Sequence, residues 1–174
     1  MSTGQIMLTG GGVFVPVTAY TNDGGQGDRT SIITVTQSMT LNDQGTPGLI
    51  VEGGAPGAGD YNFDFNISLV SDEDITFEFQ EPKYIDEFLF RFTFGGSGNS
   101  GLGAGNYKVR ASNNDVDYVD VSASFTTGSS VDKVVSGINL DARGYLYYQI
   151  YFIDDALLSN DFFKAEFKIA QGAI

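Results

Sequence analysis

The chain has 174 residues, of which 41% are hydrophobic and 13% aromatic, and this is enough apolar material to bury one core. Its formal net charge of -13 repels phosphate backbones, so nucleic-acid binding is not expected, and no apolar run reaches the ~18 residues that would predict membrane insertion. The lack of Cys and His excludes disulfides, Ser-His-Asp and Cys-His catalysis, and the usual zinc sites.

The first third of the chain is rich in glycine. Residues 1–16 are predicted either as an N-terminal arm that orders on assembly or as the first strand, and residues 17–174 as a single β-sandwich domain. Glycine-rich stretches at 8–12, 22–28 and 52–60 separate short β-like runs. No basic residue precedes Arg29, so the start of the chain is not expected to act as a secretory signal.

From residue 61 onwards, apolar and polar residues alternate sharply. Residues 61–70, 74–80 and 87–94 carry an apolar residue, most often Phe, at every second position, which is the pattern of half-buried strands. The side chains expected to face inward are Phe63, Phe65, Phe77, Phe79, Phe88, Phe90, Phe92 and Val109.

Residues 107–125 predict a hairpin. Apolar alternation lies on both sides of the turn formers at 112–115, and Ser, Asn and Asp bond their own backbone in turns without any ligand. Strand-like segments follow at 144–153 and 162–170, and residues 154–161 suit one short helical turn. Short strands without a ten-residue helical period indicate an all-β, antiparallel β-sandwich or jelly roll.

The order of four segments resembles the galactose-binding-like β-sandwich, also called discoidin or F5/8 type C. The hairpin is similar to that family's S-x-D-G hairpin, with Asn114 where Asp is usual. Residues 74–94 look like its two strands around a Pro-containing turn, and residues 140–152 look like its arginine-then-aromatic strand. Residues 162–169 look like its closing strand with an embedded Glu. A generic viral jelly roll is the alternative fold.

The chain departs from the family pattern at several points. Tyr118 stands where the family usually has Trp, Gly144 separates Arg143 from Tyr145, and the bridging cysteines are absent. The resemblance rests on the order of the segments, because none of the motifs is specific alone.

The resemblance also implies a structural calcium ion between an early loop and the last strand. The matching residues are Asp23, Asp28, Thr30 and Glu166. They offer oxygen atoms, which calcium prefers, three of the residues on a loop bent by glycine and Glu166 on the last strand. A solvated acidic turn and a surface Glu are the competing interpretation.

A glycan site would need an aromatic plate and a few planar polar groups that converge on sugar hydroxyls. The candidate ligand-binding residues are Tyr20, Asn22, Arg29 and Arg143. Against this, Tyr residues in sheets more often pack against neighbouring side chains.

The composition favours a non-enzymatic role. The strand-borne carboxylates Glu78, Glu87 and Glu166 alternate with Phe and are expected to face solvent, so no catalytic residues are predicted. We predict a homo-oligomeric bacteriophage virion protein, on the head or tail surface, that binds other virion proteins or a host-surface glycan. The alternative is a carbohydrate-binding module of a larger extracellular system, stabilised by calcium if the predicted site binds it.

Overall fold

The computed structural model describes ten ranges of the chain. They are residues 14–15, 20, 27–38, 46–53, 62–63, 72–94, 107–125, 133–138, 144–153 and 161–172. The backbone alone is described for residues 14–15, 62–63, 91–94, 161–164, 166 and 168–172. The predicted helical turn, apart from its last residue, lies outside these ranges.

Nine β-strands and one 3-10 helix make up the regular structure of the described residues. The strands are β1 (Phe14–Val15), β2 (Ile33–Gln37), β3 (Asn62–Phe63), β4 (Asp74–Phe94), β5 (Tyr107–Ser112), β6 (Val119–Asp120), β7 (Lys133–Ser136), β8 (Tyr145–Phe152) and β9 (Asp161–Gly172). The 3-10 helix spans Pro47–Val51. The described residues contain no α-helix, and none of their helical structure is long and apolar enough to cross a membrane. The all-β prediction is confirmed.

Strand β4 belongs to two antiparallel sheets. Its first part pairs with β2 on one side and β8 on the other, and β8 continues through β5 to β6. Its second part pairs with β9 and β7, and β9 also carries β1 and β3. The pairing with β8 is irregular between Glu78 and Lys83, so the strand passes from one sheet to the other beyond a bulge.

Aromatic rings join the two sheets face to face. The ring centroid of Phe77 in the first sheet lies 5.1 Å from that of Phe167 in the second. Likewise, Phe88 in the second sheet lies 5.7 Å from Tyr148 in the first. Ring contacts between two layers define the core of a sandwich, so the predicted antiparallel β-sandwich is confirmed.

The predicted inward-facing positions agree with the structure wherever it describes them. Five of these side chains are at most 2% exposed: Phe77, Phe79, Phe88, Phe90 and Val109. Phe65 lies outside the described residues, and the side chains of Phe63 and Phe92 are not described.

The expected break between two strands at Pro82 is wrong, because β4 runs without interruption from Asp74 to Phe94. Pro82 lies within the bulge, where Glu78 opposes Tyr147 and Lys83 opposes Tyr145. A proline lacks the N–H that a regular ladder needs, and a bulge tolerates it. The proline therefore marks a bend inside one strand.

Residues 14 and 15 pair with the last strand. Phe14 lies opposite Gly172 and Val15 opposite Gln171, in the antiparallel sense. This pairing supports the first-strand alternative for these two residues. Residues 1–13 and 16 lie outside the described ranges, so the proposed division of the chain at residue 16 stays a prediction.

Candidate functional site at the bend of strand β4

A cavity of about 450 Å³ opens at the bulge of β4. It is lined by Ile32, Phe79, Gln80, Glu81 and Lys83. Neighbouring residues of a regular strand point to opposite faces, and here consecutive residues line one cavity because the bulge breaks the register. The volume suits a small ligand such as one or two sugar units. We call this cavity the β4 pocket.

The polar groups of the β4 pocket lie at its rim. The Gln80 amide donates to the Ser31 carbonyl over 3.1 Å. Lys83 Nζ donates to Glu81 Oε1 over 2.7 Å, and the Glu81 side chain is still 73% exposed. This hydrogen bond and the charge of Lys83 lower the pKa of Glu81. The rim therefore combines an amide, a carboxylate and an ammonium beside the apolar walls.

The backbone beneath Lys83 is held tightly. Its carbonyl accepts a 2.5 Å hydrogen bond from the Tyr148 hydroxyl. Gly144 packs against the same carbonyl with φ +69°, and a Cβ placed there would lie 2.5 Å from the oxygen. Only glycine fits this approach without displacing β4. Arg143, the chain neighbour of Gly144, lies outside the described residues.

The predicted ligand-binding residues do not line the β4 pocket where they are described. Tyr20 is half-buried, and its hydroxyl donates to Glu87 Oε1 over 2.5 Å. Arg29 is 0% exposed, and its role in ligand binding stays a prediction. Asn22 lies outside the described ranges, as Arg143 does, so their roles stay predictions.

Arg29 ties its loop to two other elements. Its backbone N–H donates to the Val51 carbonyl over 3.0 Å, and its Nη2 donates to the Ala165 carbonyl of β9 over 2.8 Å. The guanidinium carbon lies 5.9 Å from the centroid of the Phe167 ring. The side chain is therefore a structural link between the early loop and the last strand.

The predicted calcium residues are only partly described. Asp28 Oδ1 accepts from the Thr30 backbone N–H at 2.9 Å and from its hydroxyl at 2.7 Å, and both residues are exposed. Glu166 lies beside Ala165 on β9, without a described side chain, and Asp23 is outside the described ranges. The described part of the chain contains no cluster of three or more carboxylates suited to a metal. The calcium site stays a prediction.

Three tyrosines cover the outer side of the first sheet. Their hydroxyls each donate to a carboxylate: Tyr118 to Asp115 at 2.5 Å, Tyr147 to Glu78 at 3.2 Å, and Tyr151 to Asp72. We call this surface the tyrosine face. Burial, followed by the Asp115 hydrogen bond, raises the pKa of Tyr118, and the hydrogen bond to Asp72 raises that of Tyr151.

Two cations complete the tyrosine face. The Arg110 guanidinium lies 4.4 Å from the ring centroid of Tyr151 and 5.3 Å from that of Tyr118. Lys108 pairs with Asp120 at 2.9 Å. Beneath them, Gln149 and Thr76 are buried although they point away from the core, and they hydrogen-bond to each other at 3.1 Å. The polar groups of this face are directed at one another.

The predicted hairpin is present, and its turn is longer than residues 112–115. Ala111 pairs with Val119, so Val116 and Tyr118, expected to resume the second strand, belong to the turn, where Val116 is 77% exposed. Asn114 Oδ1 accepts from the backbone N–H groups of Val116 and Asp117 at 3.0 and 2.9 Å. As expected, the turn formers bond within the chain.

Solved structures with this fold include carbohydrate-binding modules. One is a family 32 module from the NanJ protein of Clostridium perfringens in complex with galactose, with a TM-score of 0.53, 13% identity, and coverage of 80% of this chain and 98% of that chain. A second module, from Clostridium perfringens in complex with GalNAc-beta-1,3-galactose, gives a TM-score of 0.55 at 12% identity, covering 84% and 99% of the two chains. The chain has the galactose-binding-like β-sandwich fold.

The same fold also occurs in an enzyme. The structure of an allantoicase gives a TM-score of 0.54 at 12% identity and covers 77% of this chain and 40% of that chain. No protein-family model and no curated protein sequence matches the chain. At these identities the likeness establishes the fold, and function has to be argued from the site.

Proposed function

We propose that this protein is a non-enzymatic carbohydrate-binding β-sandwich that holds a glycan in the β4 pocket. The observation that carries the proposal is the lining of this pocket, in which an amide, a carboxylate and an ammonium stand beside the apolar Ile32 and Phe79. Sugars present both hydroxyls and apolar C–H patches, and protein sites bind them with this combination of groups.

The neighbours with this fold favour a glycan over other small ligands. Two of them are complexes with galactose and with GalNAc-beta-1,3-galactose. We propose that the ligand is an extracellular or host-surface glycan. The virion role and homo-oligomer predicted from the sequence stay predictions, and none of the neighbours named above is a virion protein.

Titration calorimetry with galactose and with GalNAc-beta-1,3-galactose tests the proposal. The wild-type protein is expected to bind at least one of them saturably. Gln80→Ala and Lys83→Met each remove a polar group at the pocket rim and should weaken binding about tenfold, which is ~1.4 kcal/mol. Circular dichroism should show that both variants keep the β-sheet spectrum, because these side chains lie outside the core.

Val134→Ser is the matched control. Val134 is 48% exposed on β7 and does not line the pocket, so its replacement should leave affinity unchanged. Failure of the wild-type protein to bind either sugar, or any member of a broad glycan panel, would refute carbohydrate binding. If Gln80→Ala and Lys83→Met still bind sugar with wild-type affinity, the sugar binds at a site other than the β4 pocket.

A further inference from the structure

We infer that the buried guanidinium of Arg29, and not a bound calcium ion, fastens the loop of residues 27–32 to the sandwich and thereby sets one wall of the β4 pocket. Arg29 acts as a positioning residue. The contribution to glycan affinity rests on the function proposed above, whereas the fastening of the loop does not.

A fully buried cation needs compensation from its surroundings. Arginine stays charged at any ordinary pH, and burial of an uncompensated charge strongly destabilises a fold. Arg29 is 0% exposed, and its guanidinium donates to the Ala165 carbonyl and lies over the Phe167 ring. Carbonyl and ring both offer negative potential to a cation. The Arg29 side chain thus anchors the early loop to the inner side of β9.

The anchored loop forms part of the β4 pocket. The Arg29 carbonyl accepts from the N–H groups of Ile32 and Ile33, both at 3.0 Å, and so fixes the turn that places Ile32 at the pocket. Ser31, inside the same turn, accepts the Gln80 amide that lies at the rim. A shift of Arg29 would therefore move an apolar wall and release a polar group of the pocket.

Of the four predicted calcium residues, only Asp28 and Thr30 have described side chains, and these two bond to each other. Calcium takes about six to eight oxygen ligands. Asp28 Oδ1 already accepts two hydrogen bonds from Thr30, and the carbonyl of Ala165, next to Glu166, accepts from the guanidinium. The early loop and the last strand, which the family resemblance would join by calcium, are joined here by a side chain of the chain itself.

The first test measures the melting temperature of the wild-type protein in millimolar calcium and in excess EDTA. A ligand that binds only the native state raises the melting temperature with its concentration, so we expect no difference between the two conditions. A rise with calcium that Glu166→Gln abolishes would overturn the inference and establish the calcium site.

The second test measures amide hydrogen exchange in Arg29→Met. The Ile32 and Ile33 amides should exchange roughly tenfold faster or more, while those of Val116 and Asp117 in the hairpin turn should not change. Arg29→Lys keeps the charge and should restore part of the protection. Lys133→Met is the control, because Lys133 also lies over a ring, 5.6 Å from the Phe125 centroid, without touching this loop. Unchanged exchange in a folded Arg29→Met would overturn the inference.

Measurement of glycan affinity distinguishes the proposed glycan binding from the proposed role of Arg29. If the wild-type protein binds sugar, Arg29→Met should weaken binding about tenfold although every residue that lines the pocket is retained. If the wild-type protein binds no sugar, the proposed function fails, and exchange and calcium still decide the role of Arg29. If Arg29→Met does not fold, Arg29→Lys and the calcium titration of the wild-type protein decide it.

Discussion

The β4 pocket and the tyrosine face lie on the same sandwich and differ in how much of their paired polar side chains stays exposed. On the tyrosine face, every tyrosine hydroxyl donates to a carboxylate of the chain, and Arg110 is stacked against two of the rings. At the pocket, the Glu81 carboxylate is paired with Lys83 and is still largely exposed to solvent.

This difference shows why a cluster of aromatic and charged residues is a poor indicator of a binding site. The tyrosine face has more such residues than the pocket, and they interact with one another: Tyr118 of the hairpin turn, for example, contacts Arg110 of β5. A binding site must leave hydrogen-bonding capacity directed at solvent, where a ligand can replace water. The comparison predicts that damage to the pocket reduces affinity and damage to the tyrosine face reduces stability.

Gly144→Ala should give the largest effect. The new Cβ would lie 2.5 Å from the Lys83 carbonyl, and φ +69° is itself unfavourable for alanine. Strain and overpacking together should lower the free energy of unfolding by roughly 2 to 5 kcal/mol, measured by urea denaturation. Because the clash pushes on the backbone of the pocket, glycan affinity should also fall.

Gly137→Ala is the matched control for this substitution. Gly137 has the same φ of +69°, and a Cβ there would meet nothing within 4 Å. This substitution should lower the free energy of unfolding by roughly 1 to 2 kcal/mol, which is the cost of the positive φ alone, and should leave glycan affinity unchanged. Equal effects of the two substitutions would show that the contact with Lys83 contributes nothing.

Asn114→Ala should lower stability and spare the pocket. The substitution deprives the backbone N–H groups of Val116 and Asp117 of their acceptor, in an exposed turn where water can partly replace it. The expected loss is about 1 to 2 kcal/mol in urea denaturation. Sugar affinity should equal that of the wild type, and its disappearance would instead identify the hairpin as the binding site.

Tyr118→Phe should have the smallest effect, visible mainly at high pH. Burial and the hydrogen bond to Asp115 raise the pKa of Tyr118 in the folded state above its value of about 10 in the unfolded chain. The resulting stability is fully present below pH ~10 and is lost as pH rises beyond it, because the unfolded chain releases the proton first. Removal of the hydroxyl should flatten this decline in urea denaturation above about pH 10. If the decline in stability is the same in Tyr118→Phe, other titrating groups cause it.

The sequence predicts the core better than the bends. Alternation correctly places Phe77, Phe79, Phe88 and Phe90 in the core, because every second residue of a strand points to the same face of the sheet. The bulge at Pro82 is not predicted. A proline cannot donate a ladder hydrogen bond, and this makes it compatible both with a turn between two strands and with a bulge inside one strand. The topology decides between these outcomes through pairings with residues far along the chain.

The candidate site is predicted less well for the same reason. Gln80, Glu81 and Lys83 flank Pro82 and look like ordinary turn residues until the bulge brings them to one cavity. Arg29, in a polar loop, looks like a surface residue, and its burial depends on contacts with Ala165 and Phe167 more than a hundred positions later. Local patterns carry no information about such distant partners.

The pairing of β1 with β9 determines how the sandwich would respond to mechanical load. Because the two strands are antiparallel, with Phe14 opposite Gly172, the chain enters β1 and leaves β9 at the same end of the ladder. A force applied through these two exits would break the hydrogen bonds one after another, as in peeling. Peeling would detach β1 first, and the pairing of β9 with β4, which holds the core together, would be loaded only afterwards.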